Sequence, residues 1–353
     1  MTYKSTLLYT WNGLPTTGLD PLAIKTVNHV DFPVPAVNYP RLSTDPEGLA
    51  LNKDGTFWMS DEYGPYVYLF SSKGKVLQTI VPPAAIIPKQ NGNTNFTASV
   101  DPQTGRSANQ GKLQELVTII CVGADGPRAG FEGLTTSPSG DSLYVLLQSA
   151  PVQDGGPNKA TNRYTRFLKY DVDNLNNIKL KEEYIVPLPQ SGKGSTFAQS
   201  ELLWLNDHQF LVLARDGNGA GDSNTESKYK CVSRSSLFDR RPLLTSGPAL
   251  RSADLIDISC ATNIAGSKFD SPDHPAAPGG VLDSSITPTE YQTFVQYINS
   301  TQLARFGLHN AGAADETLIA SKWESLALAP AFDDDAKDDY FLFTLVRHAL
   351  WPR

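Results

Sequence analysis

Short apolar runs alternate with polar turns along this chain, and one such unit recurs four times. Each copy starts with a glutamate that has a leucine two residues later, continues through a polar turn and ends in a strand-like apolar run. The four copies start at Glu47, Glu132, Glu201 and Glu324. Repetition of one supersecondary unit is typical of propellers and other arrays. Because equivalent positions of a radial array converge on one axis, we expect these four glutamates to face a common centre.

The length of the apolar runs and the turns between them predict the fold class. TFWMS, SLYVLLQ, QFLVLAR and YFLFTLV have the length and composition of strands, and NKDG, SPSGD and LNDHQ are turn sequences. Helical periodicity is strongest near residues 288–306, which we interpret as one helical excursion. The sequence therefore predicts an all-β chain. We expect it to form a single β-propeller domain over residues 1–353, with six or seven blades in the complete protein.

Three segments do not match the repeat. Residues 112–130 and 231–252 interrupt it, and residues 345–353 stand where the fourth copy should reach its closing polar residue. Codons that can encode residues 111–112 and 232–233 contain GTAAG, a common start of an intron. We interpret the two insertions as retained introns and residues 345–353 as a non-native tail, so that the propeller is disrupted and C-terminally truncated. Long surface loops are the alternative, because insertions cost little loop-closure free energy.

Charge and composition limit which binding partners and which cellular location are expected. The chain has 353 residues, a net charge of −7 and no basic cluster, which argues against nucleic acid as a partner. No apolar run approaches the length of a membrane span, so we expect no membrane partner. We expect a monomer that binds a small-molecule ester or phosphorylated substrate. The sequons at Asn95 and Asn299 suggest a secreted glycoprotein whose signal peptide is not present here. Three cysteines do not suggest a disulfide framework, and Cys260 is expected to be a small buried residue.

The candidate site consists of carboxylates and a few polar side chains. The candidate metal ligands are Glu47, Glu132, Glu201, Glu324 and Gln148. The candidate catalytic residues close the same strands or follow them, and they are Asp61, Glu62, Arg215 and Asp216.

Crowded carboxylates raise one another's pKa, so a counter-charge is expected at such a centre. Calcium accepts carboxylate and amide oxygens, and the chain offers no cluster of histidine or cysteine for a softer metal. Arg215 has the chemistry of an anion clamp. The alternative is that each repeated glutamate is structural and accepts backbone N–H groups of the neighbouring unit.

Six phrases occur in an order that resembles one known family. They cover residues 47–65, 131–135, 167–172, 201–219, 254–266 and 322–330. The chain is similar to the phytase-like family described as having esterase-like activity, from about residue 13 to residue 343. The resemblance implies a secreted β-propeller that hydrolyses phosphate or other esters.

The residues and the resemblance together predict a secreted, calcium-dependent hydrolase of phosphate or related esters. One alternative is a propeller enzyme that acts on a sugar lactone or uronic acid through the same cation-and-carboxylate site. Another is a non-catalytic binding or scaffold propeller, because a fold does not determine a function. The enzyme hypotheses predict that amide substitution of Glu47, Glu132 or Asp61 removes activity without unfolding the protein.

Overall fold

A computed structural model describes residues 6–90, 92–97, 130–155, 158–229, 254–336 and 339–347. Residues 112–129, residues 231–252 and the end of the proposed tail lie outside the described residues. The interpretation of these segments as retained introns therefore stays a prediction.

The N-terminal part contains two short hairpins and the first four-stranded sheet. The hairpins are β1 (Thr10–Trp11) with β2 (Leu14–Pro15), and β3 (Ala23–Val27) with β4 (Val30–Val34). The first sheet contains β5 (Pro46–Leu51), β6 (Phe57–Asp61), β7 (Val67–Phe70) and β8 (Val76–Ile80). A two-residue pair follows, β9 (Lys89–Gln90) with β10 (Asn93–Thr94).

Two further four-stranded sheets and one hairpin complete the described fold. The second sheet contains β11 (Phe131–Thr136), β12 (Ser142–Leu147), β13 (Tyr164–Asp171) and β14 (Lys179–Pro187), with helix α1 (Val152–Gly155) between β12 and β13. The third contains β15 (Ala198–Trp204), β16 (Gln209–Arg215), β17 (Asp254–Asp257) and β18 (Glu290–Thr293). Helix α2 (Ser300–Ala304) precedes the last hairpin, β19 (Lys322–Pro330) with β20 (Tyr340–Arg347). Two 3₁₀ turns, Lys268–Asp270 and Pro278–Gly280, lie between β17 and β18.

Consecutive sheets stack face to face, and their first strands contact one another in the order β5, β11, β15 and β19. Successive side chains of a strand point to opposite faces. In β16, Val212 therefore packs towards the second sheet, whereas Leu211 and Leu213 pack towards β19. Trp58 and Leu69 of the first sheet bury against the second sheet in the same way. Consecutive antiparallel sheets that stack in this manner confirm the all-β, propeller-type fold.

Two glycines allow the first strands to approach one another closely. A Cβ atom added to Gly48 would lie 2.5 Å from the Cβ of Leu134, and one added to Gly133 would lie 2.7 Å from the Cβ of Leu202. Both glycines directly follow a repeated glutamate, so the Glu-Gly-Leu sequence joins one sheet to the next. The third copy has Leu202 at the equivalent position, and its side chain fills the interface with the second sheet.

Two expectations about local structure were wrong. The segment near residues 288–306 forms strand β18 and only a five-residue helix, α2. The segment splits because β18 pairs with β17 as the outer strand of the third sheet, while the Asn299 side chain accepts the Gln302 N–H and starts the helix. Cys260 is exposed, since it lies in the turn that ends β17, where Ala261 N–H donates to Ile258 O.

None of the helices in the described ranges is long and apolar enough to cross a membrane. Residues 345–347, which were assigned to the proposed tail, continue strand β20 and pair with β19 on both sides of its register shift.

The close approach of the first strands generates a stability prediction. Gly133→Ala should lower the free energy of unfolding by about 1–3 kcal/mol, because overpacking displaces a well-packed neighbour. Urea denaturation of the purified chain measures the difference. Gly192→Ala is the matched control, since a Cβ there has no neighbour within 4 Å. Equal losses in the two variants would contradict the packing argument.

Candidate functional site

Each repeated glutamate lies where its strand changes register with the following strand. The shifts fall between Pro46 and Leu49, between Phe131 and Gly133, between Gln199 and Leu202, and between Trp323 and Ser325. A β-bulge bends the strand and redirects the side chain, and bulges are common beside active sites. The repeated sequence is therefore a bulge that presents a glutamate near the start of each first strand.

Three carboxylates of the first unit converge. Each of Asp45, Glu47 and Glu62 offers an oxygen, and these oxygens lie within 4.8 Å of one another. The main chain fixes their approach, because Glu62 N–H donates to Asp45 O over 3.0 Å. The Asp45 N–H in turn donates to Asp61 Oδ1 over 2.8 Å. The hard oxygen donors of this group are of the kind that calcium prefers.

Gln148 joins this group to the second unit. Its Nε2 donates to Glu62 Oε1 over 3.1 Å and also to Glu132 Oε1. The main chain of Gly130 lies directly against that of Glu62, since a Cβ at Gly130 would lie 2.2 Å from Glu62 O. Gln148 thus acts as a donor between two carboxylates, and its assignment as a metal ligand stays a prediction.

The electrostatics of the site are dominated by crowded negative charge. Burial of the carboxyl, followed by the charges of Glu132 and Glu62, raises the pKa of Glu47 far above its usual value. The residue as a whole keeps an exposed surface, while its carboxyl lies among the other carboxylates. Burial also raises the pKa of Glu132 to about 7, although the charge of Arg215 and the Gln148 hydrogen bond act against it.

The positive charge near Glu132 belongs to Arg215 of the third unit and Lys322 of the fourth. Arg215 Nη2 lies 3.1 Å from Glu324 Oε1, and its Nε donates to Trp323 O over 2.9 Å. The charges of Arg215 and Lys322 both favour the ionised form of Glu132. The centre therefore has an acidic side on the first unit and a basic side on the third and fourth units, with Glu132 influenced by both.

Glu201 differs from the other repeated glutamates. The Leu202 N–H donates to Glu201 Oε1 over 2.8 Å. Hydrogen bonds from Ser325 and from the backbone of Leu326 and Leu134 also favour its ionised form, while burial raises its pKa to about 8. Glu201 thus connects three neighbouring first strands, as the structural interpretation of the repeat predicts.

Two candidate catalytic aspartates stabilise turns. Asp61 is fully buried and accepts the N–H groups of Asp45, Tyr63 and Gly64. Asp216 accepts the Ser227 hydroxyl over 2.8 Å and the Tyr229 N–H over 2.9 Å. These contacts are those of structural carboxylates, and a catalytic role for either residue stays a prediction.

The structure thus brings many of the candidate residues together and separates others from them. Glu47, Glu62, Glu132 and Gln148 form one connected group. The pair of Arg215 and Glu324 acts on it electrostatically.

Sequence reasoning missed Asp45 and Lys322, each of which lies two residues before a repeated glutamate. The equivalent positions in the second and third copies are Gly130 and Gln199. Comparison of this one position across the four copies is the signal that would have identified both charged residues.

Comparison with known proteins gives two findings. The model of the phytase-like family, described as esterase-like activity of phytase, matches residues 7–243. An uncharacterized secreted protein of Arthroderma benhamiae is 38% identical over an alignment of 376 positions, gaps included, that covers 94% of this chain. The chain spans 65% of the length of that relative.

The different roles of Glu47 and Glu201 can be tested by the effect of each residue on the free energy of unfolding. In chelator-treated buffer at neutral pH, Glu47→Gln should raise the free energy of unfolding, because the crowded carboxyl, whose pKa is raised, takes up a proton on folding at a cost that the neutral amide avoids. Glu201→Gln should lower it by about 1–3 kcal/mol, because an amide NH₂ then faces buried N–H donors. The two changes are isosteric, so each serves as the control for the other in denaturant titrations. The reverse order of stabilities would contradict the assignment of the two glutamates to different roles.

Proposed function

This chain belongs to the phytase-like family, and from that premise we propose that it is a secreted, calcium-dependent hydrolase of phosphate or related esters. The observation that carries the proposal is the convergence of the oxygens of Asp45, Glu47 and Glu62 within 4.8 Å. The secreted relative supports the extracellular location. Because the chain spans 65% of that relative, the proposal refers to the activity of the whole protein.

The donor set fits a hard divalent cation. Asp45, Glu47 and Glu62 supply only carboxylate oxygens, and Glu132 lies next to Glu62 through the Gln148 amide. The described charges that raise the pKa of Glu47 are all carboxylates, so a bound cation would relieve their repulsion. A cation held by Asp45, Glu47 and Glu62 would supply Lewis-acid chemistry, since it would polarise a phosphoryl or ester oxygen and lower the pKa of a nearby water molecule.

The residues of the chain supply the remaining functions. Arg215 and Lys322 place positive charge near Glu132, where they would orient an anionic substrate group. Glu132, whose pKa is raised to about 7, is suited to exchange a proton near neutral pH. Gln148 keeps Glu62 and Glu132 at a fixed separation and is a positioning residue.

Two alternatives have specific support. The basic side formed by Arg215 and Lys322 would equally hold the carboxylate of a uronic acid, so a lactone or uronate substrate fits the same site. The contacts of Glu201 and Asp61 favour a scaffold, because both carboxylates join strands or turns. Substrate comparison decides between the first alternative and a phosphate ester, and the absence of any turnover favours the second.

Thermal melting tests whether the protein binds calcium at this site. Calcium added to chelator-treated protein should raise the Tm, and the rise should grow with concentration because binding to the native state stabilises it by linkage, about 2.7 kcal/mol at one hundred times the Kd. Glu47→Gln and Glu62→Gln should abolish most of the rise. Glu290→Gln, an exposed glutamate of β18, is the matched control and should keep it. A Tm that does not depend on calcium would remove the cation from the proposal.

Hydrolysis assays test the reaction. The protein should hydrolyse p-nitrophenyl phosphate faster in calcium than in chelator, and faster than it opens a uronic acid lactone. Arg215→Gln should lower kcat/KM for the phosphate ester by about 10–100-fold, the equivalent of one hydrogen bond to a charged group.

The double variant Arg215→Gln/Glu324→Gln separates substrate binding from the loss of the ion pair, since it leaves no unpaired charge on Glu324. If it restores the activity that Arg215→Gln loses, Arg215 acts only on Glu324. Faster turnover of the lactone would favour the first alternative. If no ester or lactone is turned over while calcium still binds, the protein is a binding propeller.

A further inference from the structure

Two loops beside the proposed site form a single paired unit. One loop, residues 216–229, directly follows Arg215, and the other, residues 309–321, directly precedes β19. Ala220 N–H donates to Ile319 O over 2.8 Å, and Ser321 N–H donates to Ala220 O over 3.0 Å. The Asn310 side chain bonds the main chain of Ser227 in both directions, over 2.9 Å each. The paired loops thus connect the strand that carries Arg215 to the strand that carries Glu324.

His309 lies at the start of the second loop and has an acceptor at each ring nitrogen. Nδ1 lies 2.7 Å from Ala311 O, and Nε2 lies 3.0 Å from Asp315 Oδ1. A neutral imidazole carries only one N–H, so it satisfies one of these acceptors and turns a lone pair towards the other. The doubly protonated ring satisfies both. The geometry is therefore that of a charged histidine.

The contacts of His309 close a strained loop. Ala311 has a φ of 74°, in the left-handed region that residues with a Cβ atom rarely adopt. The main chain of His309 also pairs with the far end of the loop, since His309 N–H donates to Thr317 O and Ile319 N–H donates to His309 O. Ile319 is the residue whose carbonyl accepts from Ala220. A continuous set of hydrogen bonds thus runs from His309 through Ile319 to Ala220 of the first loop.

The other charges near this loop act on their own partners. Glu316 is exposed on the same loop. The loop packed against it carries Asp216, Asp222, Glu226 and Lys228, of which Glu226 forms an ion pair with Lys228 and Asp216 binds N–H groups of its own loop.

Asp315 is the charged group that acts on His309. Its hydrogen bond, together with that of the Ala311 carbonyl, raises the pKa of His309. The hydrogen bond from Thr317 and then the one from His309 lower the pKa of Asp315.

We propose that His309 is a pH-dependent latch, which holds the paired loops and thereby the position of Glu324 relative to Arg215 when its ring is protonated. The consequence for activity rests on the proposed function, whereas the latch itself does not. A histidine whose pKa is raised on folding contributes stability that is fully present below its unfolded pKa and is lost as the pH rises through the folded pKa. The paired loops are therefore more firmly closed in acid than in alkaline solution.

Hydrogen exchange measured by mass spectrometry on the full chain tests the latch. After correction for intrinsic exchange rates, peptides covering residues 309–321 should be about two- to fivefold better protected at pH 5.5 than at pH 8.5, the effect of one solvent-exposed ion pair. His309→Gln should show the low protection at both pH values. His274→Gln, which changes another exposed histidine, should keep the pH step.

The measurement uses neither calcium nor substrate, so a failure of the proposed hydrolase does not affect it. Wild-type protection that is the same at both pH values would overturn the latch, and so would a pH step that survives in His309→Gln. Asp315→Asn provides a second variant, because an amide acceptor keeps the shape of the loop without the charge. It should reduce the pH step and leave part of the protection in place.

Discussion

Close packing of the four first strands is the constraint on which the rest of the structure depends. These strands approach so closely that glycine is required after Glu47 and after Glu132. A regular strand would point alternate side chains into this crowded interface. The bulge in each first strand resolves the conflict, since it changes the register at the glutamate and so breaks the regular alternation of side chains there. The carboxylate centre is thus a consequence of how the sheets pack.

The repeat places four glutamates at equivalent positions, and the residues that differ between the copies determine the charge around each glutamate. Four identical glutamates would form a symmetric ring of negative charge. Instead, Asp45 adds a carboxylate before the first glutamate, and Lys322 adds a positive charge before the fourth. Arg215 then pairs with Glu324, while Glu201 is occupied by backbone N–H groups. One side of the centre is therefore acidic and the other basic, an arrangement that suits a cation and an anionic substrate next to each other.

Sequence reasoning predicted what depends on local pattern and missed what depends on packing. The strands, their order and the place of each glutamate near the start of a first strand follow from apolar runs and turns that neighbours in sequence determine. The prediction of a helix near residues 288–306 was wrong, because residues 290–293 pair with β17 and so belong to the third sheet. Asp45 was missed because its importance arises from Glu62, which the hairpin brings back to it. The turn roles of Asp61 and Asp216 also depend on contacts that the spacing of residues does not reveal.

A second buried charge network shows why the sign of the neighbours, rather than burial alone, marks the candidate site. Arg166 is fully buried, and its guanidinium lies 2.6 Å from both Asp154 Oδ2 and Glu183 Oε1. Removing the guanidinium would leave buried carboxylates unpaired, so Arg166 is the counter-charge that keeps this network together. The charges that act most strongly on Glu47 are, in contrast, carboxylates. Repulsion between these carboxylates destabilises the folded protein unless a bound cation offsets it. This cost to stability is the physical reason to assign function to the centre of the propeller.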